Sequence, residues 1–588
     1  MMPRSASIVA VLVVAMAWTA LPKAEAQLRP RKVIASGWDT PTPQQFRRDF
    51  SVVEQAPLDG VVVEVKAFGQ PEDINSCPLR EAFGGRAWQR EWFQQSIADL
   101  RAVHSARLTD NFVHLSANPG DVDWFDDAGW AQVADHWRIA AWIAREGGLK
   151  GIVFDPEPYT PPYRQFQYTA QPGREGHTFA EYYAKARERG REVMQAVVEE
   201  YPNITILTYF MNSYAVIPHR WLGPGAAGLP DPRTALLTHG YGLYPAFIDG
   251  WLDVLPPSAT LVDGCELAYG YTSPAEFWEA AARIKGDGQE VVSPENRAKY
   301  RAQVEVGFGV YLDAHHPELG GRYVLDLRGR TPAEMLQQNL RAALAAADQY
   351  VWLWGEQGRW WPEPGDAAKW RGQTTYPTWN ERIPGIFEAL EAARDPRAAG
   401  RRQVEAARRE VQALRAVGQA RDLARNGSFD VGPAEALAGP PAEWWTWQTE
   451  QSQGSFAWDA QVGAKAAGSA RVSRAGEGCF GQDYPVRAGE RYFVTVMCRV
   501  EGQGSPSLTV RWKTPRGEWL EDANLDVSAD LIHEKALSGD WQDLSLVAEV
   551  PKAAGRLVLL LGIGGQVSER DVAWFDDVQV VELPSGGG

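Results

Sequence analysis

Short apolar, β-branched runs alternate with longer segments of helical periodicity along most of the chain. RKVIASGWD (31–39) and LDGVVVEVKAFG (58–69) read as strands, with the helical PTPQQFRRDFSVVEQ between them. REWFQQSIADLRAVHSA is a helix leading into the strand DNFVHLSANPG (110–120). WAQVADHWRIAAWIAREGG is amphipathic and closes on a glycine pair, a C-cap signal, before the buried strand LKGIVFDPEPY (149–159). The helix FAEYYAKARERGREVMQAVVEEYP precedes NITILTYFMNSY (203–214). SATLVDGCELAYGY (258–271), VEVGFGVYLDAHH (304–316) and DQYVWLWGEQGRWW (348–361) complete the series, with a helix before each of the last two. Eight strands alternating with helices over residues 30–395 predict an α/β (β/α)8 TIM barrel. A doubly wound sheet would place a Gly-rich phosphate turn after its first strand, and GWDTPTP is not one.

The remaining segments differ in character. Residues 396–425 are rich in Ala and Arg, with Val404, Val411, Leu414 and Val417 near one face, and predict a helical spacer packed on a neighbour. From Asn426 to residue 584 short alternating strands and Gly turns replace long helices, which predicts an all-β jelly-roll sandwich. Residues 1–26 read as an export signal. Arg4 supplies the positive region, Ile8 to Ala17 the short apolar stretch, and Ala24-Glu25-Ala26 the cleavage pattern, so the mature chain would begin near Gln27, secreted or periplasmic. The apolar stretch is too short to span a bilayer, and no other run is long and apolar enough for one.

Composition narrows the classes. Lys+Arg 59 against Asp+Glu 75 gives a net charge of −16 over 588 residues, and no basic cluster dominates it, which argues against a nucleic-acid partner. Four cysteines exclude a disulfide scaffold and a cysteine-built zinc module, though Cys479 and Cys498, both in the last segment, could pair. Twenty-five tryptophans predict either large aromatic cores or sugar-stacking surfaces. Trp38, Tyr159, Trp354, Trp360 and Trp361 fall at or just after strand ends, which favours stacking.

Active sites of (β/α)8 enzymes lie at the C-terminal ends of the strands, so acids placed there carry the chemistry. Strand four offers Asp155 and Glu157, two apart and on one side; strand six offers Asp263 and Glu266; strand eight offers Glu356. Glu64, Asn118, Tyr311 and Asp313, with Trp38, Tyr159 and Trp354, are the candidate substrate contacts. Any single acid could be a salt-bridged barrel residue, but so many at the ends of apolar strands exceeds what folding requires. Paired carboxylates flanked by aromatic faces suit glycosidic cleavage, where one acid protonates the leaving oxygen and another attacks or activates water. Glu157 is the expected proton donor. Asp155, set deeper, is expected to stay ionised, with Glu266 or Glu356 opposite and Asp263 behind. No catalytic cofactor is expected. No G-x-S-x-G elbow or H-E-x-x-H occurs, His315 and His316 are adjacent and would point oppositely on a strand, and His219 and His239 are isolated.

Two resemblances add to this. GIVFDPEPY looks like strand four of secreted barrel glycoside hydrolases. It is similar to the chitinase-like D-x-E ending, in which the Glu is the acid, and to the E-P of retaining β-glycosidases. It departs from the first at Val153 and from the second at Pro156. In α-galactosidase-like barrels an Asp on this strand is the nucleophile, which would make Asp155 the attacker. In the last segment NGSFD, the WQ before a strand and the closing WFDDVQV resemble a carbohydrate-binding module of the galactose-binding-like jelly-roll type. That resemblance implies glycan binding and a structural Ca2+ held by Asp430 and Asp577. The expectation is thus a secreted glycoside hydrolase acting on a carbohydrate polymer or oligosaccharide. The rivals are a non-catalytic glycan-binding surface protein and a metal-dependent polysaccharide deacetylase or esterase.

Overall fold

A computed structural model describes residues 30–161, 164–216, 235–319, 323–363, 376–433, 439–521, 525–529 and 539–584. The export segment and His219 lie outside the described residues. Strands β1 (Lys32–Gly37), β2 (Gly60–Val63), β3 (Phe112–Ser116), β4 (Gly151–Asp155), β5 (Thr205–Thr208) and β6 (Thr260–Asp263) pair in chain order, each parallel to the next. β7 (Val304–Val306) pairs with β6, and β8 (Phe308–Tyr311) pairs with β9 (Tyr350–Gly355), which returns to β1. β7 and β8 are halves of one strand broken at Gly307, so the sheet closes as an eight-position parallel barrel. The fold is the expected (β/α)8 barrel followed by a β-sandwich.

Closure is tight beside the site. A Cβ at Gly37, whose φ is +133°, would sit 2.0 Å from the carbonyl oxygen of Gly355, so the first and last strands can meet there only through glycine. The helices start where sequence predicts. Thr42 caps α1 (Pro43–Val53), with Pro43 in the first turn. Thr178 and Glu181 form a capping box on the helix Phe179–Glu200, and Thr331 with Glu334 forms another on Pro332–Ala346. A further helix, Tyr244–Val254, fills the gap between β5 and β6 that the sequence pattern left empty. It is buried on nearly every side. Trp124, Trp130, Trp137 and Trp251 are core residues in the helical layer outside the strands, so much of the tryptophan surplus is packing.

The sandwich has two five-stranded sheets. One runs β10 (Trp445–Gln448), β13 (Glu477–Pro485), β18 (Arg556–Gly564), β15 (Ser505–Lys513), β16 (Val527–Ser528). The other runs β11 (Ser455–Asp459), β12 (Ser469–Ser473), β19 (Val572–Leu583), β14 (Arg491–Glu501), β17 (Gln542–Glu549). The predicted spacer is a helix, Pro396–Ala416. Its Val404, Ala407 and Val411 belong to the sandwich core, and Arg408 is ion-paired with Asp543. It is therefore less a spacer than a lid on the β17–β14–β19 side of the sandwich. All four cysteines are free: Cys479 and Cys498 lie in different sheets and do not pair.

Candidate active site

The i, i+2 alternation of a strand sends every second side chain to the same side. At the C-terminal ends this gathers Trp38 after β1, Glu64 after β2, His114, Ser116 and Asn118 along and after β3, Asp155 and Glu157 along and after β4, and Trp354 and Glu356 along and after β9. Together with Arg80, Tyr159, Tyr209, Glu266, Tyr269, Tyr311 and Tyr323 they line one cavity of about 460 Å3.

Asp155 is buried, 4 % exposed. Its Oδ1 accepts the backbone N–H of Glu157 at 3.0 Å, and its Oδ2 lies 3.1 Å from the Tyr159 hydroxyl. The same hydroxyl is 2.7 Å from Glu157 Oε2, and Tyr241 donates to Glu157 Oε1 at 3.4 Å. Burial first, and the neighbouring Glu157 charge second, push the Asp155 carboxyl well above the usual carboxylate range. Against the expectation that Asp155 stays ionised, its burial disfavours the charge.

Glu266 begins a short 3-10 turn after β6. Cys265, immediately before it, adopts a left-handed conformation (φ 42°), which swings the chain so that Glu266 turns into the cavity. Burial, then the charges of Glu157, Asp155 and Glu356, raise the Glu266 carboxyl to about 8. Glu356 accepts the indole N–H of Trp354 at 3.0 Å, and its backbone N–H donates to Asp313 at 2.8 Å.

Two sequence candidates do not line the cavity. Asp263 is fully buried and accepts from Met211 N–H, Ser213 N–H, Ser213 hydroxyl and Cys265 N–H, which ties the end of β5 to the turn carrying Glu266. Asp313 is buried and accepts from the N–H groups of Glu356 and Gln357, so it orients Glu356 from behind. Both acids pair with backbone donors, which is how a buried carboxylate is satisfied without facing a cleft. Trp360 and Trp361, 9 % and 2 % exposed, pack with Phe387 and Phe46 in the core rather than at the cleft. Glu64 reaches the cavity but is engaged two-pronged by Arg80.

Sequence reasoning missed Arg80, His114, Ser116, Tyr209, Tyr241, Tyr269 and Tyr323. His114 and Ser116 were legible, since they precede Asn118 at two-residue steps. Tyr209 follows β5 directly; it stacks on Trp352 at 4.4 Å and meets Ser36 at 2.8 Å. Arg80 lies in a loop and reaches Glu64 only through the tertiary fold. Two further histidines are engaged elsewhere: His136 stacks on Trp88, and His315 meets Asn339 and the Tyr311 carbonyl.

In the sandwich, Asp430 accepts from the Ser428 hydroxyl at 2.6 Å, while Asp577 is ion-paired with Lys465. Asp576, which the sequence reading passed over, feels the charges of both. Among the described residues no group of three or more His, Cys, Asp or Glu side chains is gathered to hold a metal ion. Hard carboxylate oxygens suit calcium, but the Lys465 ammonium holds Asp577 in this arrangement, so the donor set is not assembled around a cation.

No protein-family model matches the chain, and no curated protein matches it. Among solved structures, the enzymatically active domain of a bacteriophage CBA120 tailspike protein is 16% identical over 28% of this chain and 21% of its own, with TM-score 0.21. A cyclase from Fischerella sp. TAU is 15% identical over 29% of this chain and 100% of its own, with TM-score 0.21. Clostridium thermocellum endo-1,4-beta-D-xylanase CBM22–GH10 modules with xylohexaose are 13% identical over 28% of each chain, with TM-score 0.20. Among the described residues no helix is long and apolar enough to cross a membrane.

Proposed function

We propose that the protein is an exported glycoside hydrolase that cleaves a carbohydrate polymer or oligosaccharide in the barrel cavity. One observation carries the reading: acids from three separate strand ends, Asp155 and Glu157, Glu266, and Glu356, meet in one cavity walled by Trp38, Tyr159, Tyr209, Tyr269, Tyr311 and Trp354. Aromatic faces hold the C–H side of a sugar ring, and acids with unequal proton affinity divide the roles of donor and base.

In this reading Asp155, whose charge burial disfavours, holds a proton behind Glu157. Glu157, at the rim, delivers a proton to the leaving oxygen, and Asp155 supplies the reserve. Glu356, held by the Trp354 indole and backed by Asp313, is the carboxylate that attacks the anomeric carbon or activates water. Glu266 stays protonated and hydrogen-bonds the sugar.

Release of reducing ends from a polysaccharide panel tests the activity, with acetate release measured alongside for the deacetylase rival. Glu157→Gln keeps the shape and removes the proton donor, so kcat should fall at least about 10²-fold with the melting temperature unchanged. Near-native turnover by that variant would pass the donor role to Glu266.

A further inference from the structure

The barrel cavity carries more acid than the reaction proposed for it needs. Donor and base are two carboxyls, and here Asp155, Glu157, Glu266 and Glu356 all face one space. Among the described lining residues the basic side chains are Arg80 and His114. Arg80 is taken by Glu64, with Nη2 2.6 Å from Oε2, and His114 lies tilted against the Tyr209 ring, their centroids 6.4 Å apart. None of the four acids forms a salt bridge with a described residue. The donors that reach them are neutral: the Glu157 N–H and Tyr159 for Asp155, Tyr159 and Tyr241 for Glu157, and the Trp354 indole for Glu356. Glu266 differs even from these. Its carboxyl faces the cavity with no hydrogen-bond donor among the described residues. A desolvated carboxyl without a donor is an unusual state for a protein to maintain, unless a ligand completes it.

We infer that the cavity takes a cationic sugar: an oligosaccharide of hexosamine units with free, protonated amines, one of which sits against Glu266. This rests on the hydrolase reading for cleavage, but not for binding. An ammonium supplies what the wall lacks, a positive charge and three N–H donors. The aromatic side chains Trp38, Tyr209, Tyr269, Tyr311 and Trp354 suit both parts of such a ligand, since rings hold the C–H side of a sugar and attract a cation. The space, about 460 Å3, is of small-molecule size. A polyuronate or sulfated sugar would bring like charge to acids that already repel one another. A bare metal ion fits less well, because among the described residues no three acids are gathered closely enough to hold one. Burial, then the charges of Glu157, Asp155 and Glu356, hold the Glu266 carboxyl up to about 8. A neutral hydroxyl leaves that proton in place. An ammonium displaces it to solvent, and Glu266 becomes the counter-ion.

Titration calorimetry on the full chain carrying Glu157→Gln, at neutral pH in buffers of different ionisation enthalpy, reads affinity and proton release together. The ligands are tetramers of glucosamine or galactosamine with free amines, their N-acetylated counterparts, and spermidine as a cation without a sugar ring. At least one free-amine tetramer should bind at least about tenfold tighter than its N-acetylated counterpart, weaken as salt is added, and release a proton on binding. Glu266→Gln in the same background should lose most of that preference and the proton release, with binding of the N-acetylated form little changed. Melting at acidic pH checks that this variant is folded. Equal or tighter binding of the N-acetylated form overturns the inference. So does spermidine bound as tightly as the tetramer, a preference untouched by Glu266→Gln, or no binding of any tetramer. None of these results bears on cleavage of neutral polysaccharides, which the reducing-end panel reads separately. A free-amine tetramer that binds as expected but is left intact by the wild-type chain supports the inference and counts against the hydrolase reading.

Discussion

Asp155 and Glu266 share one cavity, and both have a raised proton affinity caused first by burial. They differ in the second cause: Asp155 feels Glu157 two residues away, while Glu266 feels Glu157, Asp155 and Glu356 across the barrel mouth. Raised carboxyl pKa values make a stability statement. Glu266 titrates near 8 when folded and in the ordinary carboxylate range when unfolded, so the folded state holds a proton that the unfolded state releases. Its contribution is fully present below the unfolded value and is lost as pH rises toward about 8. Glu266→Gln cannot ionise. Its melting temperature should therefore match the wild type at acidic pH and exceed it increasingly up to pH about 8, as differential scanning calorimetry across pH would read. A constant offset at every pH would mean that Glu266 is not the group titrating. Such acids were visible in the sequence as residue types at strand ends. Their proton affinities were not, because desolvation depends on what packs above each side chain. The sequence reading left Asp155 ionised, whereas its burial and the neighbouring Glu157 charge disfavour that charge.

Among the elements, the helix Pro396–Ala416 is the one whose role the fold redefined. Its apolar spacing was evident, but not the partner: Val404, Ala407 and Val411 complete the sandwich core. A fragment of residues 395–584 should therefore melt cooperatively, and one beginning at 426 should melt lower or bind a hydrophobic dye, because removing the helix bares apolar surface at about 25 cal/mol per Å2. Equal melting of the two fragments would show the helix to be only a tether. The short strands β10, β11 and β16 lie at sheet edges, where the partner strand rather than the local sequence decides pairing. At the end of the sandwich, calcium remains a proposal that must displace Lys465 from Asp577. Millimolar calcium should raise the melting temperature relative to chelator, and Lys465→Met should enlarge the rise. Identical curves with calcium and chelator would remove calcium from the account.

For the molecule as a whole, export is proposed on residues 1–26. Expression of the full chain should yield protein outside the cytoplasm whose first residue is near Gln27; recovery of an uncleaved cytoplasmic chain would overturn it. The chain's own pattern determined the eight barrel positions, the β-rich C-terminal segment and the strand ends bearing Asp155, Glu157, Glu266 and Glu356. Each of these is a periodicity or a residue type at a periodic position, and periodicity is local. Only the tertiary structure decided which acids face the cavity. Asp263 and Asp313 sit at strand ends as Glu266 and Glu356 do, yet backbone N–H groups from neighbouring segments turn them inward. It alone paired Arg80 with Glu64 and sent Trp360 and Trp361 into the core while leaving Trp447 and Trp519 exposed. A side chain's facing, desolvation and charge neighbours are set by residues tens to hundreds of positions away, and no local pattern encodes them.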